Sequence, residues 1–209
     1  MKTTDSVQNI ENFFSKYKKD CESFNLGSVH IPKPDPKNGI PGKDILIMFI
    51  NERPGRIGPG KSDLISFDND DPTANRFKCL FETMNINRKR IFITNACIYY
   101  PLREDYRDTR PNIEEINFSA PILRDQIERI NPKIIVPLGN TAIHALKKVF
   151  PNSAIKKFKL KVNIGESVQD IKPYIFPLYH TSSLASITRK EKDQKRDWLK
   201  LKEFIDKIK

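Results

Sequence analysis

Six consecutive apolar residues, from Ile45 to Ile50, are the feature that most limits how this chain can fold. A short run that is apolar at every position is typical of a strand buried on both faces of a parallel sheet. The run leads directly into Asn51, Glu52 and Arg53, and then into a proline and a glycine-rich loop. Ligands of open α/β sheets bind in the crevice beyond the carboxyl ends of the strands. We therefore expect these polar side chains to border a binding site.

Three further apolar runs predict strands of the same kind. They cover residues 91–96, 133–138 and 174–178, and stretches with apolar residues at helical spacing separate them. We also expect a half-exposed strand over 158–164, where apolar and polar residues alternate. The order of these elements predicts the α/β class, with a three-layer α/β/α sandwich around a central, largely parallel four-stranded sheet.

The charge and composition of the chain indicate its partners. A formal net charge of +11 and an isoelectric point near 9.5 suit a protein that binds the phosphate backbone of a nucleic acid. The chain has no apolar run of membrane-spanning length and does not begin like a signal peptide, so we expect no membrane partner and an intracellular location. The three cysteines, Cys21, Cys79 and Cys97, do not have metal-ligand spacing.

Polar residues with complementary chemistry follow three of the predicted strands. Glu52 follows the first strand, Asn95 lies at the end of the second, and His180 follows the last. A carboxylate can position water or stabilise a cationic sugar, and an amide can pair with the edge of a nucleobase. A histidine can donate a hydrogen bond to an oxygen that gains negative charge. Because parallel strands end at one edge of a sheet, we expect the three groups to meet there.

At these residues the chain resembles the uracil-DNA glycosylase superfamily. The resemblance spans about residues 44–185, and four segments carry it in the family's order. The first is Asn51-Glu52-Arg53-Pro54-Gly55, which is similar to the first motif in the Gly-Glu-Ala-Pro-Gly form of the iron–sulfur family. The second is Ile93-Thr94-Asn95-Ala96, which is similar to the strand whose asparagine reads uracil. Residues 132–145 resemble the stretch between the two catalytic motifs, and residues 180–185 are similar to the second motif.

The resemblance implies a monofunctional DNA glycosylase of base-excision repair that uses no cofactor and no metal ion. Such an enzyme flips uracil or a related damaged base out of DNA and hydrolyses its N-glycosidic bond. The expected partner is DNA that contains the lesion, and we expect a monomer. A single uracil-DNA glycosylase-like domain, 1–209, would comprise an N-terminal helix and proline-rich connector (1–43), a catalytic core (44–185) and a basic C-terminal helix (186–209).

The resemblance also assigns roles to residues at the sheet edge. Asn95 would bind the uracil edge, His180 would stabilise charge on the uracil O2 atom, and Glu52 would hold or activate water. Leu184 would insert into the space that the flipped base leaves. The remaining candidates are Phe67, to stack on the base; Gly55, to let the base approach the backbone; Asn51, as a further catalytic residue; and Arg53, Ser182, Ser183, Arg189 and Lys190, to contact DNA.

The chain departs from the family pattern at several positions. Arg53 replaces the catalytic aspartate of the best-known family, so Glu52, Asn51 or an acid of the 68–71 loop must take that role. Thr181 replaces a proline of the second motif. Of the four cluster cysteines of the iron–sulfur family only Cys21 persists, and Phe24, Tyr99 and Ser119 stand at the other three positions. We therefore expect no cluster, and packing in its place.

Other functions remain open from the sequence. Residues 55–62, GRIGPGKS, match the P-loop pattern and allow a nucleotide-binding protein, although no helix pattern follows at once. A damaged-DNA-binding protein of the same fold without catalysis is a third possibility, because of Arg53. Glu52 and Arg53 can also form a plain solvated turn, and Asn95, Phe67 and His180 can be structural residues.

Overall fold

The computed structural model describes residues 14–41, 43–102 and 109–208. Its centre is a four-stranded sheet in which all neighbouring strands are parallel. In spatial order the strands are β5 (Ile91–Asn95), β3 (Ile47–Asn51), β7 (Ile134–Pro137) and β8 (Tyr174–Ile175). The apolar run 45–50 supplies most of β3, which lies inside the sheet with its apolar side chains fully buried.

Helices cover both faces of this sheet and complete the three predicted layers. One face carries α4 (Ile113–Ile130) and α5 (Asn140–Val149), and the other carries α3 (Pro72–Glu82) and α8 (Glu191–Ile208). Each helix turns one apolar stripe towards the sheet. Trp198 belongs to this core, where its ring stacks on Phe49 with 5.5 Å between centroids. The predicted α/β/α sandwich is confirmed.

Capping residues fix where two of these helices begin. The Asp71 carboxylate accepts hydrogen bonds from the backbone N–H groups of Thr73 and Ala74, at 2.9 and 3.0 Å, and a proline occupies the first turn of α3. Asn112 and Glu115 form a reciprocal capping box at the start of α4. Both devices satisfy backbone donors that a helix start leaves unpaired.

The remaining elements are short and surround the main sheet. They are α1 (Lys18–Asn25), β1 (Val29–His30), β2 (Lys33–Pro34), α2 (Pro59–Ser62), β4 (Leu64–Ile65), β6 (Tyr100–Pro101), α6 (Leu160–Asn163) and α7 (Ser183–Thr188), with 3₁₀ turns at Arg88–Arg90 and Ala154–Lys157. β1 pairs antiparallel with β6, and β2 pairs parallel with β4. Most of the predicted N-terminal helix lies outside the described residues. No helix in the described ranges is long and apolar enough to cross a membrane.

The strand predicted over 158–164 is wrong. Leu160–Asn163 forms one helical turn, in which Leu160 is buried and Val162 is 71% exposed. The open edge of the sheet is taken instead by an antiparallel bridge between Val168 and Ile175. Among the residues that the structure describes, segment 158–164 pairs with no strand, and its buried residues Phe158 and Leu160 pack into the α4–α5 side of the core.

The segment that matches the P-loop pattern does not form a phosphate-binding loop. The N–H of Gly60 donates to the carbonyl of Gly55 at 2.9 Å, and the single turn α2 ends at Asp63, whose φ is 58°. A P-loop places its lysine at the entrance of a helix that continues. Here Lys61 lies at the end of the turn, and β4 follows.

Candidate active site

A cavity of about 270 Å³ opens at the carboxyl edge of the sheet. Asn51, at the end of β3, and Asn95, at the end of β5, are paired in the strand register and both line it. His180, Asp71 and Phe67 line it from the segments around the sheet. The volume lies just below the range of drug-sized pockets and suits a ligand as small as a single base.

Two buried amide atoms in this cavity lack partners. The side-chain nitrogen Nδ2 of Asn95 and the side-chain oxygen Oδ1 of Asn51 are both buried, and neither has a hydrogen-bond partner among the described residues. Asn95 as a whole is only 2% exposed. Buried polar atoms in folded proteins are nearly always paired, so this donor and this acceptor are free to bond with water or with a ligand in the cavity.

His180 is held as a neutral hydrogen-bond donor. Its Nδ1 accepts the backbone N–H of Ser182 at 3.1 Å, so the ring proton is carried by Nε2. Burial lowers the pKa of His180, and this effect outweighs the opposing influence of Glu52 and Asp71. The ring lies close to the β7–α5 turn: a Cβ added to Gly139, whose φ is +87°, would be 3.2 Å from the Cβ of His180.

Two carboxylates lie near His180, in different settings. Glu52 accepts a hydrogen bond from the hydroxyl of Thr141, at 2.7 Å, in the first turn of α5. Asp71 lines the cavity directly while one of its oxygens caps α3. Both carboxylates act to raise the pKa of His180, but of the two only Asp71 is among the described residues that line the cavity.

Arg53 does not have the position expected of a DNA contact. Its guanidinium forms an ion pair with Glu115 at 2.5 Å, and its side chain is only 5% exposed. Buried in this way, the charge at the position of the usual aspartate is neutralised inside the protein. The side chain therefore contributes to the structure through this ion pair.

Phe67 and Gly55 border the cavity in different ways. The Phe67 ring is 6% exposed; it stacks on Phe77, and the Arg88 guanidinium lies 4.1 Å from its centroid. These contacts hold the ring in the wall of the cavity, and its stacking on a base stays a prediction. A Cβ added to Gly55 would meet nothing within 4 Å, so the glycine leaves open space at the cavity.

The segment after His180 presents an apolar surface next to an anchored turn. Leu184 and Ile187 are 66% and 81% exposed and lie three residues apart on α7. Arg76 of α3 donates to the hydroxyl of Ser186 at 2.5 Å, which ties α7 to the core. Ser183 is also exposed, whereas Ser182 is half-buried.

Of the two basic residues expected to contact DNA after this segment, only one is available. Arg189 donates to both oxygens of the buried Asp197, at 2.9 and 2.7 Å. That bidentate pair fixes the start of α8 and does not fit the predicted phosphate contact. Lys190 is exposed and keeps its expected role as a proposal.

The four positions of the iron–sulfur ligands do not fit a cluster. Cys21 is fully buried, and burial raises its pKa to about 12, which opposes the thiolate that iron requires. Phe24 stacks on Phe118 with 4.2 Å between centroids, and Tyr99 packs edge-on against the same ring. Ser119 supplies only a hydroxyl. We call this set of residues, Cys21, Phe24, Tyr99, Phe118 and Ser119, the aromatic plug.

Several residues of the site had no clear signal in the sequence. Thr141 lies at a helix start, and Ile187 lies after the end of the second motif. Neither residue belongs to a pattern that predicts a role in the site. Asp71 was recognisable as a helix cap and as one of several acids in its loop. Its place in the cavity depends on how α3 packs across the sheet edge.

A parallel α/β sandwich with a small polar cavity at its carboxyl edge defines the class. The chain belongs to the uracil DNA glycosylase superfamily, whose family model matches residues 40–203. It is similar to the Type-4 uracil-DNA glycosylase of Saccharolobus solfataricus, with 29% identity over 190 residues that cover 81% of this chain and 77% of the relative. It is also similar to the Type-4 uracil-DNA glycosylase of Sulfurisphaera tokodaii, with 28% identity over 184 residues, 80% of this chain and 74% of the relative. The family predicted from the motifs is confirmed.

Proposed function

We propose that this protein is a monofunctional DNA glycosylase that releases uracil from DNA and acts as a monomer. The observation that carries the proposal is the cavity in which Asn51, Asn95 and His180 converge at the end of the sheet. Family membership and the names of the two relatives support the substrate. The charge of +11 supports binding to the DNA backbone.

Two groups that line the cavity, Asn95 and His180, and the carboxylate of Glu52 next to Asn51 suit the stages of N-glycosidic hydrolysis. A flipped uracil enters the cavity, where the free N–H of Asn95 donates to a base carbonyl. His180 donates from Nε2 to O2, the oxygen that gains negative charge as the bond breaks. Glu52, oriented by Thr141, holds the water that attacks the sugar and stabilises its developing positive charge.

The test is base release from oligonucleotides that carry one uracil, single-stranded and duplex, in EDTA, followed by alkaline cleavage of the abasic product. The proposal predicts cleavage at the uracil position and none in the matched thymine oligonucleotide. Tight binding to uracil DNA without release would instead indicate a damaged-DNA-binding protein of the same fold. Release of another base, such as hypoxanthine, with uracil left intact would show that this other base is the substrate.

Glu52→Gln should lower the rate of uracil release about tenfold, because the amide keeps the hydrogen bond with Thr141 but loses the negative charge. The comparison variant is Asp71→Asn, which retains an oxygen to cap α3 while it removes the cavity carboxylate. Single-turnover rates of both variants decide between the two acids. A large loss in Asp71→Asn with little change in Glu52→Gln would transfer the role to Asp71.

Leu184→Ala should lower release from duplex DNA about five- to tenfold and leave single-stranded DNA within twofold. The reason is that an inserted side chain offsets the unstacking cost, which only the duplex imposes in full. Val162→Ala is the control, since Val162 is also an exposed apolar residue on a one-turn helix. Equal losses on both DNA forms would argue against insertion by Leu184.

A further inference from the structure

We propose that Asn51 determines base specificity, because its side-chain oxygen accepts the ring N–H of the target base. The inference rests on the proposed function and assigns to Asn51 a contact with the base itself. The first motif that the chain resembles has glycine at this position, so the contact would be a property of this chain.

The strand register places Asn51 beside the base-reading asparagine. Asn51 and Asn95 are direct partners in the parallel pairing of β3 and β5. Paired residues of neighbouring strands point to the same side of a sheet, about 5 Å apart. Both side chains line the cavity, and the two unpaired atoms are the oxygen of Asn51 and the nitrogen of Asn95.

Taken in the order of the strands that they end or follow, β8, β3 and β5, the residues His180, Asn51 and Asn95 supply a donor, an acceptor and a donor. His180 supplies an N–H, because its other ring nitrogen is occupied by the backbone of Ser182. Asn51 supplies a buried acceptor, and Asn95 supplies a buried donor. The edge of uracil presents the complementary row: the O2 acceptor, the N3–H donor and the O4 acceptor.

The same row disfavours cytosine. Cytosine keeps O2, but it presents a lone pair at N3 and an amino group at position 4. The Asn51 oxygen would then face a second acceptor, and the Asn95 nitrogen would face a second donor. A site built to hydrogen-bond a group rejects an analogue without that group, because buried polar atoms remain unpaired. Asn51 therefore contributes to the choice between a deaminated base and its normal precursor.

The test compares release of uracil, 3-methyluracil and cytosine from otherwise identical single-stranded oligonucleotides. 3-Methyluracil keeps both carbonyls and lacks the N3–H. For Asn51→Ala we expect kcat/KM on uracil to fall at least about tenfold, with 3-methyluracil unchanged or released faster. Asn51→Asp keeps an acceptor and should retain the preference for uracil over 3-methyluracil, even if its kcat is lower. Asn117→Ala, an exposed asparagine of α4, is the control and should match the wild type.

The outcomes separate this inference from the proposed function. If Asn51→Ala releases uracil within twofold of the wild type, or loses both substrates equally, Asn51 does not read the base, while the glycosylase function stands. If the wild type releases no uracil, the proposed function fails and the inference fails with it. Circular dichroism of Asn51→Ala checks that the fold is intact, and Asn51→Asp keeps the test decisive if the alanine variant is unstable.

Discussion

Asn95→Ala should lower kcat/KM for uracil release on the order of 10²-fold without unfolding the protein. The reason is that Asn95 is 2% exposed and its unpaired nitrogen lies at the cavity, so the flipped base would lose its partner there. Sites built to hydrogen-bond a substrate lose about this much, or more, when one side of the pair is removed. Single-turnover rates on single-stranded DNA measure the effect without the cost of base flipping.

The stability of the Asn95 variant is part of that prediction. The Asn95 nitrogen forms no hydrogen bond with the described residues, so its removal should leave the free energy of unfolding within about 1 kcal/mol of the wild type. Urea denaturation gives this value. A variant that folds normally and still releases uracil at the wild-type rate would remove Asn95 from the site.

His180→Ala should also lower kcat on the order of 10²-fold, since the donor to the developing negative charge disappears. KM should change less, because the donor acts mainly as charge develops on O2. His144→Ala is the matched control, since His144 is an exposed histidine on α5. Wild-type kcat in His180→Ala would contradict the role of this residue.

The lowered pKa of His180 also predicts how stability depends on pH. The folded state favours the neutral ring, because burial lowers its pKa below the ordinary value near 6.5. The corresponding stability is present above that value and is lost as the pH falls through the lower folded-state pKa. Protonation would also break the hydrogen bond from Ser182. Urea denaturation at pH 7 and pH 5 should show a smaller loss of stability in His180→Ala than in the wild type.

Short-range patterns were sufficient to predict the core of the fold. The apolar run of β3 has the same meaning in any parallel sheet, and the Asp71–Pro72 pair predicts the start of α3 from backbone chemistry alone. The 158–164 segment shows the limit of such patterns. The alternation of its residues indicates which of them are buried. Whether they form a strand depends on a free edge of the sheet, and at β8 Val168 already pairs with Ile175.

In the candidate site, too, some residues could be predicted from the sequence and others could not. Asn51, Asn95 and His180 were predictable, because the ends of parallel strands converge whatever the loops do. Long charged side chains were not predictable in this way. Arg53 reaches Glu115 across 62 positions of sequence, and Arg189 turns back to Asp197, so both arginines form ion pairs within the protein.

The aromatic plug determines how this part of the protein is held together. The iron–sulfur family that the chain resembles binds a cluster here, which must be inserted into the protein. In this chain, Phe24 of α1 instead packs on Phe118 of α4, and Tyr99 packs against the same ring. These contacts form as the polypeptide folds and consist only of its own side chains. At this place, the chain is therefore held together by packing of its own side chains.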